Sequence, residues 1–405
     1  MTVAQTPNTF REILDYSSRA DPYPLFAELR RTPVAVQEDG SYVISTYREI
    51  TALLHNPHLS SDIRNQTRPM PSAAWSEETP EFINIDPPEH DRLRRMAMRH
   101  FGPPHTPGLV DGMRPELTAI VSGLIDRCAG KAQIDVVDDF AYPFPVTVIC
   151  HLLGVPREDE PRFHQWVEAQ VDVIDYDPSL DPPERLQKGM QAILDLHQYL
   201  GGLLESRRSR PGDDLLSRLA SDDGPDGRMT DEQIVSTANL LLVAGHETTV
   251  NLIANGVLTL LRHRDVLQRL RDEPGLIVRL VEELLRYEPA VHIVPWRTAY
   301  SDIPLANTTI PKGSQVLLVL ASGSRDPDRF RDPDRFDPER QDNQHLGFGG
   351  GIHLCFGGPL ARLEIQIALG EFFRRLEDAR LVADPPPYRR SPILRGPLHL
   401  RVEHG

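Results

Sequence analysis

The chain has 405 residues, 40% of them hydrophobic and 25% charged, enough for a large buried core in one or two globular units. A formal net charge of −15 argues against a nucleic-acid partner, which needs a basic footprint, and the most apolar runs, NLLLVAG and VTVICHLLGV, fall short of the roughly 18–20 apolar residues of a membrane helix. The three cysteines match neither a disulfide framework nor a C-x-x-C pair, and with no signal pattern at the N-terminus the sequence predicts a cytoplasmic protein.

In chain order, YPLFAELRRT (23–32) reads as a short amphipathic helix. VAVQEDGSYVIST (34–46) alternates like a strand pair turning at Asp39-Gly40. A polar, proline-bearing loop follows over 61–84. Asp86 reads as an N-cap, with Pro87 at the first helical position and Glu89 in the capping-box place, so 87–101 is predicted helical. Residues 108–220 read as helices broken at GVPREDE and at DYDPSLDPPE (175–184), with Cys128 and Cys150 as core fillers. Thr230 and Gln233 form a capping box ahead of IVSTANLLLVAGHETTVNLIANGVLTLL (234–261), predicted as one helix of about 30 residues and roughly 45 Å, which has to cross the interior. LIVRLVEELLRY (276–287) is another helix, and strands are predicted at 291–299, 308–310 and 314–321. RDPDRF occurs twice, at 325–330 and 331–336; the unit is too short for a solenoid and reads as a proline-pinned meander. A final helix starts near Pro359. The reading is a mainly α fold with small β-sheets at both ends of the chain.

In GFGGGIHLCFGGPLAR (347–362), Cys355 sits just before a helix start, where N–H groups and the dipole favour a thiolate. The surrounding glycines allow a flat, bulky ligand close to the sulfur. No Gly-Lys-Ser/Thr follows, which disfavours a nucleotide loop, and His353 and Cys355 lack a second pair at zinc spacing. A lone thiolate suits a haem iron; a plain Gly-rich turn is the alternative. In VAGHETTV, Gly245 removes a side chain and a mid-helix threonine can bond back to the carbonyl four residues earlier, loosening the ladder; a mere polar interruption of a core helix is the alternative. Glu283 and Arg286, three apart, make a surface pair if taken alone, and His90 and Arg94 share a helix face.

Phe348-Gly349-x-Gly351-x-His353-x-Cys355-x-Gly357, running on into PLAR, resembles the haem-binding signature of the cytochrome P450 superfamily of haem-thiolate monooxygenases. DPPEHDRLRR, AGHETT, ELLR and DPDRF agree with it in order, so the likeness spans nearly the whole chain. Gly358 stands where the family often has alanine. The resemblance implies a single cytochrome P450 domain over 1–405, mainly α, with haem b between the long helix and the Cys loop with its last helix. It makes Cys355 the axial ligand, sets Ala244, Phe348, Gly349 and Gly357 against the haem, and puts His90, Arg94, Arg297 and His353 on its propionates. Glu247 feeds protons and Thr248 holds a water beside the iron, while Glu283, Arg286 and Arg335 form a structural network under the haem.

The implied reaction inserts one oxygen atom of O2 into a C–H or C=C bond of a hydrophobic or amphipathic small molecule, such as a polyketide, macrolide, peptide, terpene or xenobiotic. Val243, Val291, Ile293, Val294 and Ile393 are candidates for lining its pocket. With no flavin or iron–sulfur region left in the chain, electrons are expected from NAD(P)H through a ferredoxin and its reductase. Arg92, Arg95 and Arg99 read either as a positive docking patch or as a solvated helix face. A monomer without nucleic-acid or membrane partners is expected. A peroxide-driven enzyme and a non-catalytic haem sensor are the alternatives, and the intact Glu247–Thr248 pair argues against both.

Overall fold

The computed structural model describes residues 9–67, 80–101, 106, 108–128, 130–173 and 181–404. Residues 68–79 of the predicted loop and 175–180 of the acidic run lie outside the described residues. Its principal helices are α1 (Tyr23–Leu29), α2 (Tyr47–Leu54), α3 (Glu89–Phe101), α4 (Arg114–Cys128), α5 (Pro143–Leu153), α6 (Glu160–Val171), α7 (Pro183–Ser209), α8 (Leu215–Ser221), α9 (Asp231–Arg262), α10 (Arg264–Asp272), α11 (Ile277–Tyr287) and α12 (Gly358–Arg375). Among the described residues no helix is long and apolar enough to cross a membrane.

The long helix α9 organises this bulk. The Thr230 hydroxyl accepts from the Gln233 N–H at 3.2 Å while the Gln233 side chain accepts from the Thr230 N–H at 3.1 Å, which is the predicted capping box. The helix then runs 32 residues, about 48 Å at 1.5 Å per residue, packed against α5, α7 and α12. It is buried almost all round from Ile234 to Leu261; the break at Val243, Ala244, Gly245 and Thr248 faces an internal cavity.

The expectation of separate sheets at the two ends of the chain is corrected. Strands β1 (Val34–Val36), β2 (Tyr42–Ile44), β3 (Leu59–Ser60), β4 (Gln133–Asp135), β5 (Val294–Ala299), β6 (Ile303–Leu305), β7 (Thr308–Ile310), β8 (Gln315–Leu318), β9 (Arg380–Leu381) and β10 (Arg401–Glu403) form one five-stranded sheet, β1-β2-β8-β5-β3, with a three-stranded β4-β10-β9 sheet and a β6–β7 hairpin beside it. A lone hairpin hides too little apolar surface to stand in water. The N-terminal hairpin therefore docks its fully buried Ile44 strand in parallel on β8 (Ile44 opposite Leu318). The short strands β4, β6, β9 and β10 carry no readable alternation in the sequence.

Helix α3 starts at Glu89, two residues later than expected, and Asp86 is not its side-chain cap. The Asp86 carbonyl accepts from the His90 N–H at 3.1 Å, but its carboxylate accepts from the Ser60 hydroxyl at 2.5 Å and the Ser61 N–H at 2.9 Å. The side chain is thus spent on tying the end of β3 to the helix entry.

Under the Cys loop, Glu283 and Arg286 of α11 are fully buried and joined by paired bonds of 2.8 Å. Arg286 also donates to the carbonyls of Ser324 (3.0 Å) and Pro333 (2.8 Å). Glu283 accepts from the Asp337 N–H at 2.8 Å, from Asn343 at 3.2 Å and from Arg340 Nε at 3.3 Å. The expected third member, Arg335, is exposed and contributes only its carbonyl, to Arg286 at 3.1 Å and Arg340 at 3.2 Å. Phe336 points inward and is buried, which turns its neighbour Arg335 outward. The following turn, closed by Arg340 N–H on the Asp337 carbonyl at 3.0 Å, brings the Arg340 guanidinium back to the acid. The network is Glu283–Arg286–Arg340.

Candidate active site

A cavity of about 550 Å³ lies between α9, β5 and the Cys loop with α12. Gly349 and Gly351 hold the loop in left-handed conformations, φ 67° and 64°, and the Phe348 carbonyl accepts the Cys355 N–H at 3.0 Å. A Cβ at Gly351 would sit 1.9 Å from the Leu54 carbonyl oxygen, so that glycine lets the loop pack on the end of α2; it does not clear space for a ligand, as expected of it. At Gly349 and Gly357 nothing lies within 4 Å of the Cβ position, and both line the cavity with Phe348 and Ala244.

Cys355 is open to the cavity but shielded from bulk water. Burial pushes its thiol pKa up, and this outweighs the N–H groups of Gly357 and Gly358 and the charges of Arg94 and Arg362, which all favour the thiolate. The helix start therefore acts in the predicted direction without carrying the balance alone. A cation bonded to the sulfur would complete it.

Arg94, Arg297 and His353 line the cavity, and His90 packs on His353. His90 is buried, its Nδ1 2.8 Å from the Asp91 carboxylate and its Nε2 without a partner. The His353 ring lies 4.4 Å from it, centroid to centroid, and its Nε2 is likewise unpartnered. Arg94 donates to the Leu354 carbonyl at 2.5 Å. Arg297 of β5 pairs with no carboxylate among the described residues; burial lowers it to about 10, with Asp86 opposing. Burial, then Arg297, His90 and Arg94, hold His353 down at about 3. Buried donors with bare ring nitrogens and a guanidinium lacking a carboxylate partner fit an anion bearing two carboxylates, and the propionates of a haem bound at Cys355 meet that description.

Along α9, which runs as one helix through this turn, the Thr248 hydroxyl donates to the Ala244 carbonyl at 2.7 Å, the predicted bond back to the residue four earlier. Ala244, Gly245 and Thr248 line the cavity, together with Val243, Val291, Ile293, Val294 and Ile393. A Cβ on Gly245 would come within 3.1 Å of Ile149 Cδ1, so α5 presses on the other side of this turn. Glu247 faces away from the cavity. It is 2% exposed, with its carboxylate 2.9 Å from Arg389 Nε and 3.1 Å from Asn251 Nδ2. Burial raises its pKa and Arg389 opposes the rise. His246 packs edge-on against Tyr142 at 4.6 Å and does not line the cavity.

Two residues escaped the sequence reading. Arg389 lies in a proline- and arginine-rich run without periodicity, and nothing local ties it to Glu247. Glu364 is buried at the cavity wall with Oε1 unpartnered and its pKa raised far above normal by burial; its place one turn beyond Leu360 on the apolar stripe of α12 was a usable signal.

Of the three arginines read as a docking patch or a solvated helix face, Arg95 and Arg99 pair with acids of the chain and Arg92 bonds a neutral amide. Arg92 donates to Gln233 at 3.2 Å, Arg95 pairs with Asp226 at 2.9 Å, and Arg99 with Asp222 at 2.6 Å and Asp226 at 2.8 Å. The acidic loop DDGPDG (222–227) folds over that face of α3, a tertiary contact no local pattern announces.

Residues 34–403 match the family model described as Cytochrome P450. The chain is 40% identical over 408 residues to "Cytochrome P450 monooxygenase PikC" of Streptomyces venezuelae, covering 98% of this chain and 94% of that protein. It is 38% identical over 397 residues to the "Vitamin D(3) 25-hydroxylase" of Pseudonocardia autotrophica, covering 95% and 94%. Among solved structures, the Bacillus subtilis bacillaene polyketide synthase cytochrome P450 PksS matches with a TM-score of 0.88 at 30% identity, covering 97% of this chain and 99% of that one.

Proposed function

The chain belongs to the cytochrome P450 family and is a monooxygenase, and from that premise we propose that it places one oxygen atom of O2 into a C–H or C=C bond of a hydrophobic or amphipathic natural product or xenobiotic. The observation that carries this reading is one cavity lined by Cys355, Arg94, Arg297 and His353, with His90 packed on His353, and by the turn of α9 where the Thr248 hydroxyl bonds the Ala244 carbonyl. Relatives named for a vitamin D(3) hydroxylation and for bacillaene synthesis support a lipophilic, secondary-metabolite kind of guest.

Haem, when bound, supplies the redox chemistry by which dioxygen is activated. The chain's part is to place it and to feed it. Cys355 would ligate the iron, and His90, Arg94, Arg297 and His353 would hold the propionates. Ala244, which presents only a methyl group to the cavity, would leave room there for the haem and its guest. Thr248 keeps its hydroxyl at the cavity wall, where it orients a water, and Glu247 relays protons from the outer side of α9. The Arg389 that holds Glu247 is one-fifth exposed, which sets the acid between solvent and the Thr248 turn. Val243, Val291, Ile293, Val294 and Ile393 exclude water and position the substrate. Electrons come from NAD(P)H through a ferredoxin and its reductase, to a monomeric, single-domain, cytoplasmic enzyme; with Arg95 and Arg99 paired to Asp222 and Asp226, Arg92 is the member of that stretch of α3 whose charge has no acidic partner among the described residues.

Turnover with a ferredoxin system against turnover with hydrogen peroxide alone separates this reading from a peroxide-driven enzyme and from a sensor. Thr248→Ala is expected to keep haem and substrate affinity while releasing reducing equivalents as hydrogen peroxide. Unchanged coupling would remove Thr248 from the reaction.

A further inference from the structure

The apolar wall of the cavity is interrupted by a further polar group. Glu81, just before the Phe82–Asn84 turn, is 9% exposed and lines the cavity; Asn239 of α9, 1% exposed, lines it beside Glu81. Asn239 Nδ2 donates to Glu81 Oε1 at 2.7 Å, and Asn84 Nδ2 stands 3.5 Å from Oε2. Both neighbours are donors, so the carboxyl is arranged to accept. Asn239 Oδ1 is left buried without a partner. Asn239 Oδ1, and Glu81 Oε2 beyond its long contact with Asn84, remain as acceptor capacity facing the cavity.

No basic side chain among the described residues pairs with Glu81. Burial lifts its pKa to about 7, with the Asn239 bond opposing. A buried carboxylate without a counter-charge is costly, and an incoming cation removes that cost.

We propose that Glu81 and Asn239 form a subsite for a protonated amine, so that the substrate is an amphipathic molecule carrying an ammonium group at the end remote from the oxidised carbon. The subsite rests on the reading of the cavity as the substrate chamber. Asn239 precedes Ala244 by five residues and Thr248 by nine, about 7.5 and 13.5 Å along the helix axis. A body of that length, lying against Val243 and Ile293, would place its far carbon at the Thr248 turn while the amine bonds Glu81.

The test uses the haem-loaded protein at pH 7.5 and two probes of equal shape, N,N-dimethyldodecylamine, which is protonated, and N,N-dimethyldodecanamide, which is neutral and has no donor. Dissociation constants are measured by titration calorimetry. The amine is expected to bind about ten-fold tighter or more, the worth of a hydrogen bond to a charged group. Glu81→Gln is expected to erase that preference and leave amide affinity unchanged, which also shows the variant folded. Asn239→Leu is expected to weaken the amine selectively as well. Equal affinities with the amide still bound, or a preference that survives Glu81→Gln, would overturn the subsite and leave the chamber standing. Binding of neither probe would overturn both.

Discussion

Two buried polar regions of this molecule are built on opposite terms. Around Glu283 every charge finds its partner inside the chain: the acid accepts from Arg286, Arg340, Asn343 and the Asp337 N–H, and Arg286 spends its remaining donors on three carbonyls. Around the cavity the charges are left over. Among the described residues Arg297 pairs with no carboxylate, with Asp86 only a nearby charge, while His90 and His353 each keep a bare ring nitrogen and Glu364 a bare oxygen. Leaving polar groups unpaired in a protein interior costs stability. The closed cluster serves the fold by pinning the 325–345 meander to α11, whereas the open one is suited to a bound group.

The sharpest way to break the comparison is to open the closed cluster. Glu283→Ala strands Arg286 in the core and is expected to cost about 3–5 kcal/mol, enough to prevent recovery of folded protein. Arg340→Ala removes one partner while Arg286 stays, and should lower stability by about 2 kcal/mol in urea unfolding. Arg335→Ala, which keeps the carbonyl that the network uses, should fall within about 0.5 kcal/mol of the parent. If Arg335→Ala cost as much as Arg340→Ala, the assignment of the third member would be wrong.

The open region should answer with the opposite sign. Arg297→Leu removes a buried cation that has no internal partner. The haem-free chain should therefore gain about 1 kcal/mol while haem is lost more readily, a split readable by melting both forms. A loss of stability in the haem-free form would show that Arg297 serves the fold and not a ligand.

A smaller effect comes from the outer side of α9. Burial first, and then neighbouring His164, hold His246 at about 3, against 6.5 for a free imidazole. Between those values the unfolded chain carries a proton that the folded chain lacks, so this site's contribution to stability is full above pH 6.5 and falls as pH drops toward 3. His246→Gln should flatten the decline between pH 7 and pH 5 in urea midpoints. An identical slope would place the acid sensitivity elsewhere.

What could be read in the sequence was what its chemistry fixes locally. Thr230 and Gln233 cap a helix because they stand three apart. Thr248 reaches the Ala244 carbonyl because they stand four apart. Cys355 is singled out by glycines beside a helix start. The mainly α fold and the family motifs followed from the same kind of information. What stayed hidden depends on which side chain faces inward after the chain has turned. Phe336 claims the interior and sends Arg335 out, so Arg340 takes the place assigned to it. Asp86 is drawn to Ser60 and Ser61 and is lost to its own helix. Arg389 reaches Glu247 from 142 residues away, and the loop 222–227 covers arginines that look free when read along α3. Glu81 sits at the end of a polar loop, and only the fold shows that it lines an apolar cavity.

The account's central claim is that Cys355 is the thiolate ligand of a haem held in this cavity. The absorption spectrum of the purified, reduced protein under carbon monoxide tests it most directly. A strongly red-shifted Soret band, lost in Cys355→Ala, is the predicted result; an unshifted band in the unaltered protein, or a shifted band that survives Cys355→Ala, would contradict it.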